Sequence, residues 1–301
     1  MRCLESLTRL DYPKYDVVLV DNAPSSDATE RIAERFPVRY VREPTAGLDW
    51  ARNRGIAEAR HEIIAFTDDD VQVDRYWLRG LAAALGNERV GLVTGFVAPA
   101  SLASEAEQLF ELSYGGMAKG FAERTLDPMI AEPARLLATH HLGVGANMAV
   151  RRRVLEQIGG FDTALDVGTP SHGGGDLDLF HRILLSGAAA RYQPSAIVWH
   201  HHRATTADLR RQMVDNGRAF GVYLLVRLRD GRVPRGEVVR YVARWVSWLL
   251  WRIPRRFLRR EKMPIPFIVA ELWGALQAPY AYVRTHARDR KVRSTIPASA
   301  P

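Results

Sequence analysis

A short apolar run that ends in three consecutive carboxylates constrains this sequence most strongly. Residues Ile63 to Phe66 are apolar, and Asp68, Asp69 and Asp70 follow after a single threonine. Such a run is typical of a buried strand, and ligands of open α/β sheets bind beyond the carboxyl ends of strands. Adjacent carboxylates repel one another and favour a compensating cation. Because Mg²⁺ and Mn²⁺ prefer oxygen ligands, we expect a metal–diphosphate site here; the alternative is a solvated acidic turn.

Composition restricts the class of protein. The chain has 301 residues, of which 47% are hydrophobic and 25% are charged, as in ordinary globular proteins. Its net charge of +8 favours phosphorylated substrates, anionic lipid or nucleic acid as partners. No recognised nucleic-acid-binding motif accompanies the charge, so we expect no nucleic acid partner. The single cysteine, Cys3, excludes an internal disulfide and a cysteine-based zinc cluster. Without a secretory signal or a run of about 18 apolar residues, we expect a cytoplasmic protein.

Strand and helix patterns alternate over the first two thirds of the chain. A strand over Asp16–Asp21 and a helix over Gly47–Arg60 are examples. This alternation implies βαβ units and a mainly parallel central sheet, and so an α/β fold. From about residue 205 the pattern becomes helical. We therefore predict an α/β domain over residues 1–204, a helical appendage over 205–292 and a disordered tail over 293–301.

Two glycine-rich segments mark places where the backbone can approach a ligand closely. Residues Gly143 to Val150 are strand-like, and glycine in a strand often marks such an approach. Gly173, Gly174 and Gly175 precede Asp176. We expect Asp176 to cap the helix that follows.

The helical region combines tryptophan with basic residues. Trp245, Trp248 and Trp251 recur at helical spacing, and a basic run from Arg252 to Lys262 follows them. Basic residues beside large apolar side chains favour a helix at an anionic membrane surface. We expect peripheral association with the inner face of the cell membrane. The alternative is that the tryptophans pack on the rest of the protein and the arginines are solvated.

The ordered set of motifs resembles that of family 2 glycosyltransferases, which have the GT-A nucleotide-sugar fold. The resemblance covers about Met1 to Arg203 and rests on Val20-Asp-Asn22, Thr45 to Gly55, Asp68-Asp-Asp70, Gly145-Ala-Asn147, Gly159-Gly-Phe-Asp162 and Gly174-Gly-Asp176. It implies transfer of a sugar, with inversion and with Mn²⁺ or Mg²⁺, from a nucleotide-diphosphate sugar to an acceptor hydroxyl. The acceptor would be a glycan, a lipid-linked molecule or a small molecule.

The resemblance also implies roles for single residues on the donor side. Donor and nucleotide binding is assigned to a set of five residues: Asp21, Arg52, Asn53, Asp68 and Asp69. Asp70 resembles the metal ligand of the family. Because imidazole suits Mn²⁺, a histidine after the last strand can complete the metal or diphosphate shell. Of the run His200 to His202, we choose His200.

On the acceptor side, the resemblance implies that Asp176 is the general base. An inverting transfer requires a carboxylate that takes the hydroxyl proton as the oxygen attacks. Gly145, Asn147, Gly174 and Gly175 are assigned to the acceptor side. The family more often has an acidic pair where this chain has Gly175 and Asp176, so one neighbouring charge is absent.

Two alternatives to an active glycosyltransferase stay open at this point. One is a sugar-phosphate nucleotidyltransferase, although the glycine-rich phosphate loop expected near its start is not visible. The other is an inactive, membrane-peripheral remnant of a glycosyltransferase. We also expect that the chain lacks the first strand of the fold, because the first apolar strand, Val17 to Val20, already leads into Asp21.

Overall fold

The computed structural model describes residues 1–295, and helices and strands are interspersed up to His200. In chain order they are α1 (Arg2–Leu7), β1 (Val18–Asn22), α2 (Ala28–Ala33), β2 (Arg39–Glu43), α3 (Leu48–Glu58), β3 (Ile63–Thr67), β4 (Val71–Val73), α4 (Trp77–Ala84), β5 (Val90–Pro99), α5 (Glu105–Gln108), β6 (Arg124–Leu126), α6 (Pro133–Leu136), β7 (Asn147–Arg151), α7 (Arg152–Ile158), α8 (Gly175–Leu185), β8 (Ala189–His200), α9 (Thr206–Asp230), α10 (Arg235–Phe257) and α11 (Ile265–Thr295).

The central sheet is mixed rather than mainly parallel. Its strand order is β3-β7-β5-β8-β4, and β6 also pairs with β8. Only β5 and β8 pair in parallel; the other pairs are antiparallel. The predicted α/β class is confirmed, and the predicted strand direction is corrected. The sequence pattern reports which residues are extended, but a strand that enters from a long loop, as β7 does, can run in either direction.

Strands β1 and β2 form a separate parallel pair, with Val18 opposite Arg39. Among the backbone hydrogen bonds of residues 1–295, none joins β1 to β3. The expected additional first strand stays a prediction. Helix α1 buries Cys3, Leu4 and Leu7 in the same cluster as Val71 and Val73 of β4.

Apolar side chains cover both faces of the central sheet. Leu92 of β5 contacts the cluster that contains Leu179 and Ile183 of α8. The next residue, Val93, belongs to the opposite cluster, with Trp77 of α4. Successive strand residues point to opposite faces, so helices pack on both sides and fix the strand ends that carry the polar residues.

The segment between β5 and β7 is irregular. Helix α5 is followed by a π-helical turn that ends at Tyr114, and Gly115 then adopts φ +108°. Residues 126–141 contain α6 and a short 3₁₀ turn over Thr139–His141.

Helices α9 and α11 approach each other closely at glycines. A Cβ atom on Gly274 would lie 1.9 Å from the Val214 carbonyl oxygen, and one on Gly217 would lie 2.0 Å from that of Glu271. Helix α10 runs antiparallel to α11, because Arg252 pairs with Glu271 while Trp245 and Ala278 both lie near Gly221.

The ends of the helical region bear on the predicted domain bounds. Strand β8 ends at His200 and α9 begins at Thr206, whereas the domain division after residue 204 stays a prediction. Helix α11 continues to Thr295, so residues 293–295 are helical, not part of a disordered tail. The remainder of that predicted tail, residues 296–301, lies outside the described residues.

Candidate active site

The Arg52 guanidinium lies at the centre of the candidate site, surrounded by carboxylates. Helix α3 carries it, and its terminal nitrogens lie 3.2 Å from Asp49 Oδ1 and 3.4 Å from Asp68 Oδ1. Its Cζ atom also lies 5.2 Å from the centre of the Phe161 ring. Burial raises the pKa of Asp68, and the nearby Arg52 charge opposes that rise. Arg52 therefore joins the carboxyl end of β3 to α3.

Asp49 belongs to this site, although no role was predicted for it. Its side chain is 2% exposed, and burial raises its pKa well above the ordinary range, against the opposing charge of Arg52. The Oδ2 atom has no hydrogen-bond partner among residues 1–295. A Cβ atom on Gly175 would lie 1.8 Å from this oxygen. Asp49 therefore occupies the space that a side chain at position 175 would need, which explains physically why an acidic pair is absent there. The signal in the sequence was an Asp in the first turn of α3.

Asp176 is held by two backbone N–H groups. Gly145 N–H donates to its Oδ2 at 3.0 Å, and Leu177 N–H donates to its Oδ1 at 2.8 Å. The predicted cap is corrected: the N-cap of α8 is Gly174, in the left-handed conformation, and Asp176 lies in the first turn. A Cβ atom on Gly145 would lie 2.8 Å from the Arg52 guanidinium. The Gly145 backbone thus lies between the Arg52 guanidinium and the Asp176 side chain.

Asn147, predicted on the acceptor side, lies in the core instead. It is 0% exposed. Its Oδ1 accepts from Trp77 Nε1 at 2.8 Å, and its Nδ2 donates to the carbonyls of Phe96 and Ala196 at 3.0 and 2.9 Å. An amide with these partners ties α4, β5 and β8 together and cannot reach an acceptor. Sequence alone could not show which face of β7 it occupies.

Asn53 uses both ends of its amide on one neighbouring residue. Its Nδ2 donates to the Phe161 carbonyl at 3.0 Å, and its Oδ1 accepts from the Phe161 N–H at 2.8 Å. The predicted donor ligand therefore fixes the loop after α7. That loop in turn positions the Phe161 ring near Arg52.

Asp70 and His200 approach each other as metal ligands would. His200 Nε2 lies 3.5 Å from Asp70 Oδ1, and this oxygen is buried without a hydrogen-bond partner among the described residues. Burial and the adjacent Asp69 charge raise the pKa of Asp70. Burial and the neighbouring His202 lower the pKa of His200 to about 4. A neutral imidazole and an orphaned carboxylate oxygen fit a divalent cation.

The protein supplies only part of such a coordination shell. Among residues 1–295, no group of three or more His, Cys, Asp or Glu side chains is arranged to hold a metal ion. Mg²⁺ is often bound through one or two carboxylates together with substrate phosphates. Behind His200, its Nδ1 lies 3.1 Å from His202 Nδ1, and His202 Nε2 lies 2.7 Å from Glu111. No sequence pattern indicates the Glu111 contact.

The remaining predicted donor residues lie at the edge of the site. Asp21 ends the separate β1–β2 pair, where its Oδ2 accepts from the Tyr40 hydroxyl at 2.8 Å. Asn22 next to it binds the Thr45 carbonyl and the Gly47 N–H, which ties β1 to the loop before α3. Asp69 is exposed.

Comparison with known proteins identifies the family. Residues 1–159 match the family described as "Glycosyl transferase family 2". The chain belongs to glycosyl transferase family 2. It is 28% identical over 242 residues to glycosyltransferase AglE of Haloferax volcanii, covering 77% of this chain and 72% of AglE. It is 26% identical to the pre-mycofactocin glycosyltransferase of Mycobacterium tuberculosis, covering 64% of this chain but only 38% of that protein.

Solved glycosyltransferase structures share the fold. Mannosyltransferase PcManGT from Pyrobaculum calidifontis, in complex with GDP-Man and Mn²⁺, superposes with a TM-score of 0.51 at 19% identity over 98% of this chain and 71% of that one. Residues 1–349 of TarS from S. aureus, in complex with UDP, give a TM-score of 0.52 at 13% identity over 97% and 87%. These likenesses show the fold alone. The family match and the named glycosyltransferase relatives identify the chain as a glycosyltransferase and disfavour the nucleotidyltransferase interpretation.

The contact between Gly175 and Asp49 generates a stability prediction. Gly175→Ala should lower the free energy of unfolding by about 1–3 kcal/mol, because a methyl group there overlaps the Asp49 carboxylate. In an Asp49→Ala background the same substitution should cost much less. Urea denaturation of the four proteins in this double-mutant cycle measures the coupling. Gly236→Ala is the matched control, since no atom lies within 4 Å of its added Cβ. If the losses of unfolding free energy at positions 49 and 175 are additive, the contact is contradicted.

Proposed function

We propose that the chain transfers a sugar from a nucleotide-diphosphate sugar to an acceptor hydroxyl with inversion. The observation that carries this proposal is the arrangement about Arg52, with Asp68 on one side and Asp176 beyond Gly145 on the other. A donor and an acceptor can then meet between the carboxyl end of β3 and the start of α8. Solved proteins of the same fold bind GDP-Man, UDP or UDP-GlcNAc, which supports a nucleotide-sugar donor.

In this proposal Asp176 is the general base. Two backbone N–H groups occupy one lone pair on each of its oxygens, and a second lone pair on either oxygen is free to accept a proton. The acceptor oxygen forms a bond to the anomeric carbon as its proton passes to Asp176. The bond from the anomeric carbon to the diphosphate breaks on the opposite face of the sugar, so the configuration inverts.

Asp70 and His200 are the residues that would hold Mn²⁺ or Mg²⁺. The cation, when bound, would neutralise the charge that develops on the departing diphosphate. Asp68, Asp69 and Asp21 are proposed to contact the sugar, ribose or base of the donor. Arg52 holds Asp49 and Asp68 in place, so its proposed role is to position the acids and to offset their charge.

Substitution of the proposed base tests the reaction. Asp176→Asn should reduce sugar transfer by about 10²- to 10⁴-fold, because an amide cannot take the hydroxyl proton. Binding of UDP or GDP should be retained. The readout is turnover of a panel of nucleotide sugars, including release of nucleotide to water, beside nucleotide affinity by calorimetry. Asp178→Asn is not a useful control because Asp178 is buried in ion pairs. Asp74→Asn is suitable, because the half-buried Asp74 lies before α4 and an amide oxygen can still accept from the Tyr76 N–H. Near-normal turnover of Asp176→Asn would refute its assignment as base, and a wild-type chain that turns over no donor would favour the inactive remnant.

The metal assignment has a separate test. Asp70→Asn should abolish the increase in nucleotide affinity that Mn²⁺ gives to the wild-type protein, because it removes the carboxylate proposed as ligand. Asp74→Asn removes a carboxylate that has no proposed role in donor or metal binding and should keep the Mn²⁺ effect. Calorimetric titration of nucleotide with and without Mn²⁺ measures both. Equal Mn²⁺ effects in wild type and Asp70→Asn would rule the ligand out.

We also propose an anionic membrane surface as a partner of the helical region. None of the helices in residues 1–295 is long and apolar enough to cross a membrane. The exposed residues of α11 include a charge-free row at spacings of four and three: Val269, Trp273, Leu276, Tyr280 and Val283. The row is about 20 Å long. Arg256, Arg259 and Arg260 are exposed at the end of α10, beside the exposed Phe257 and Leu258.

Part of the sequence-based membrane surface is corrected. Trp245 packs edge-on against Phe220, with ring centres 5.0 Å apart. Arg252 is buried between Glu261 and Glu271, at 3.1 and 2.6 Å. Both residues therefore hold the helices together, and the proposed lipid-facing residues are those of the α11 row and the end of α10.

Vesicle binding tests this partner. Replacing Arg255, Arg256, Arg259 and Arg260 by Gln should weaken binding to phosphatidylglycerol vesicles by about three orders of magnitude, since each basic residue at an anionic surface contributes about 1 kcal/mol. The control changes Arg31, Arg35, Arg60 and Arg89, which are exposed on the α/β part, and lowers the net charge equally. Co-sedimentation at low and high salt provides the measurement. If the wild-type protein does not bind such vesicles at low salt, the proposal is wrong and these helices serve packing or assembly.

A further inference from the structure

A group of basic side chains lies beside Asp176 and has no part in the chemistry described so far. We define the basic cluster as Lys119, Arg124, His140 and His141. All four belong to the chain between β5 and β7, which leads through Gly143 directly to Gly145, the residue that binds Asp176. Gly143 is fixed against Thr94, whose hydroxyl donates to the Leu142 carbonyl.

Tyr192 of β8 brings the first two members of the cluster together. Its hydroxyl accepts from the Lys119 N–H at 3.2 Å and donates to the Gly120 carbonyl at 2.8 Å. The Arg124 guanidinium carbon lies 5.8 Å from the centre of the same ring. Since Tyr192 is 1% exposed, Lys119 and Arg124 are attached to a rigid part of the sheet.

The two histidines lie against each other on the neighbouring 3₁₀ turn. Their ring centres are 3.9 Å apart, and His140 also packs edge-on against Phe220 of α9. Burial lowers the pKa of His140 to about 3, and the charges of His141 and Lys119 act in the same direction. His140 is therefore neutral at pH 7. Its Nδ1 is buried without a hydrogen-bond partner in the described part of the chain.

No carboxylate neutralises the cluster by direct contact. None of the four side chains forms an ion pair of 4 Å or less within residues 1–295. Burial lowers the pKa of Lys119, and the charges of Asp176 and Glu111 only partly offset that effect. Glu111 already binds His202, and Asp176 already binds two backbone N–H groups. The Lys119 ammonium is therefore partly removed from water without a direct anionic partner among the described residues.

We propose that the basic cluster binds an anionic group, a phosphate or a carboxylate, of the acceptor substrate. The inference rests on the proposed function in one respect, which is that Asp176 marks the acceptor side. Lys119 and Arg124 supply the charge, and the imidazole nitrogens supply neutral hydrogen-bonding groups. The donor diphosphate is assigned to Asp70 and His200, whereas His140 and His141 lie on the segment that leads to Gly145 and Asp176. The cluster is therefore proposed to serve a second anion.

Phosphate titrations test the proposal on the metal-free, full-length protein. Inorganic phosphate should bind at pH 7 and low, constant ionic strength, as followed by calorimetry. Lys119→Gln and Arg124→Gln should each weaken binding by about tenfold or more, because each removes a charge-assisted hydrogen bond. Lys14→Gln removes one exposed charge elsewhere and should have no effect. Circular dichroism checks the fold, and the exposed Arg124 keeps the test valid if Lys119→Gln unfolds.

Further arms identify the source of the anion and separate the two proposals. Hexyl phosphate that binds more tightly than inorganic phosphate indicates a lipid-type phosphate, equal affinities indicate a water-soluble phosphorylated acceptor, and hexanol is the uncharged control. No phosphate binding by the wild-type protein, binding that survives both cluster substitutions, or binding lost only in Arg52→Gln would each overturn the proposal. Nucleotide binding and donor turnover of the wild type, measured separately, report whether the proposed function itself fails.

Discussion

The ion pairs of one guanidinium hold the candidate site together. Arg52 contacts Asp49 and Asp68 within 3.4 Å, and the charge of Asp176 also acts on it. These carboxylates come from α3, the end of β3 and the start of α8, which are distant in the chain. Burying several like charges is unfavourable unless an opposite charge lies among them. The positions of the proposed donor and acceptor sides therefore depend on Arg52, and its stacking on Phe161 makes the loop after α7 part of the same arrangement.

The helical region is connected to this arrangement through a second set of buried charges. Arg227 of α9 pairs with Asp178 Oδ1 at 2.5 Å, and Arg182 pairs with Asp178 Oδ2 at 2.6 Å. Asp178 lies two residues after Asp176, so the helix that presents the proposed base is anchored to α9. Because breaking a buried ion pair commonly costs about 3–5 kcal/mol, α9 and α8 are expected to move together. A membrane or any other partner that contacts α10 and α11 would thus bind a helical region that these ion pairs connect to the site.

Two glycines determine which side chains can lie close to Asp176. Gly175 leaves room for Asp49, and Gly145 leaves room for Arg52. Glycine at both positions allows two charged residues of α3 to approach the backbone around the proposed base. Asn53 and Asn147 resemble ligand-binding residues in the sequence, yet the side-chain amides of both form hydrogen bonds with other groups of the protein. Amides removed from water require such partners, so these hydrogen bonds fix both side chains and maintain the geometry of the site.

Local sequence patterns are enough to predict the α/β class, the extended run into Asp68 to Asp70, the helical region after residue 205 and the motif order that resembles the family. These follow from local periodicity and from residues that are neighbours in the chain. The folded chain is needed to show that the sheet is mixed, that Asp49 fills the position beside Gly175, that Asn147 lies in the core and that Glu111 supports His202. Each of these depends on which strand face or helix side meets another element. That pairing is fixed by packing of the whole chain, and a local pattern contains no information about it.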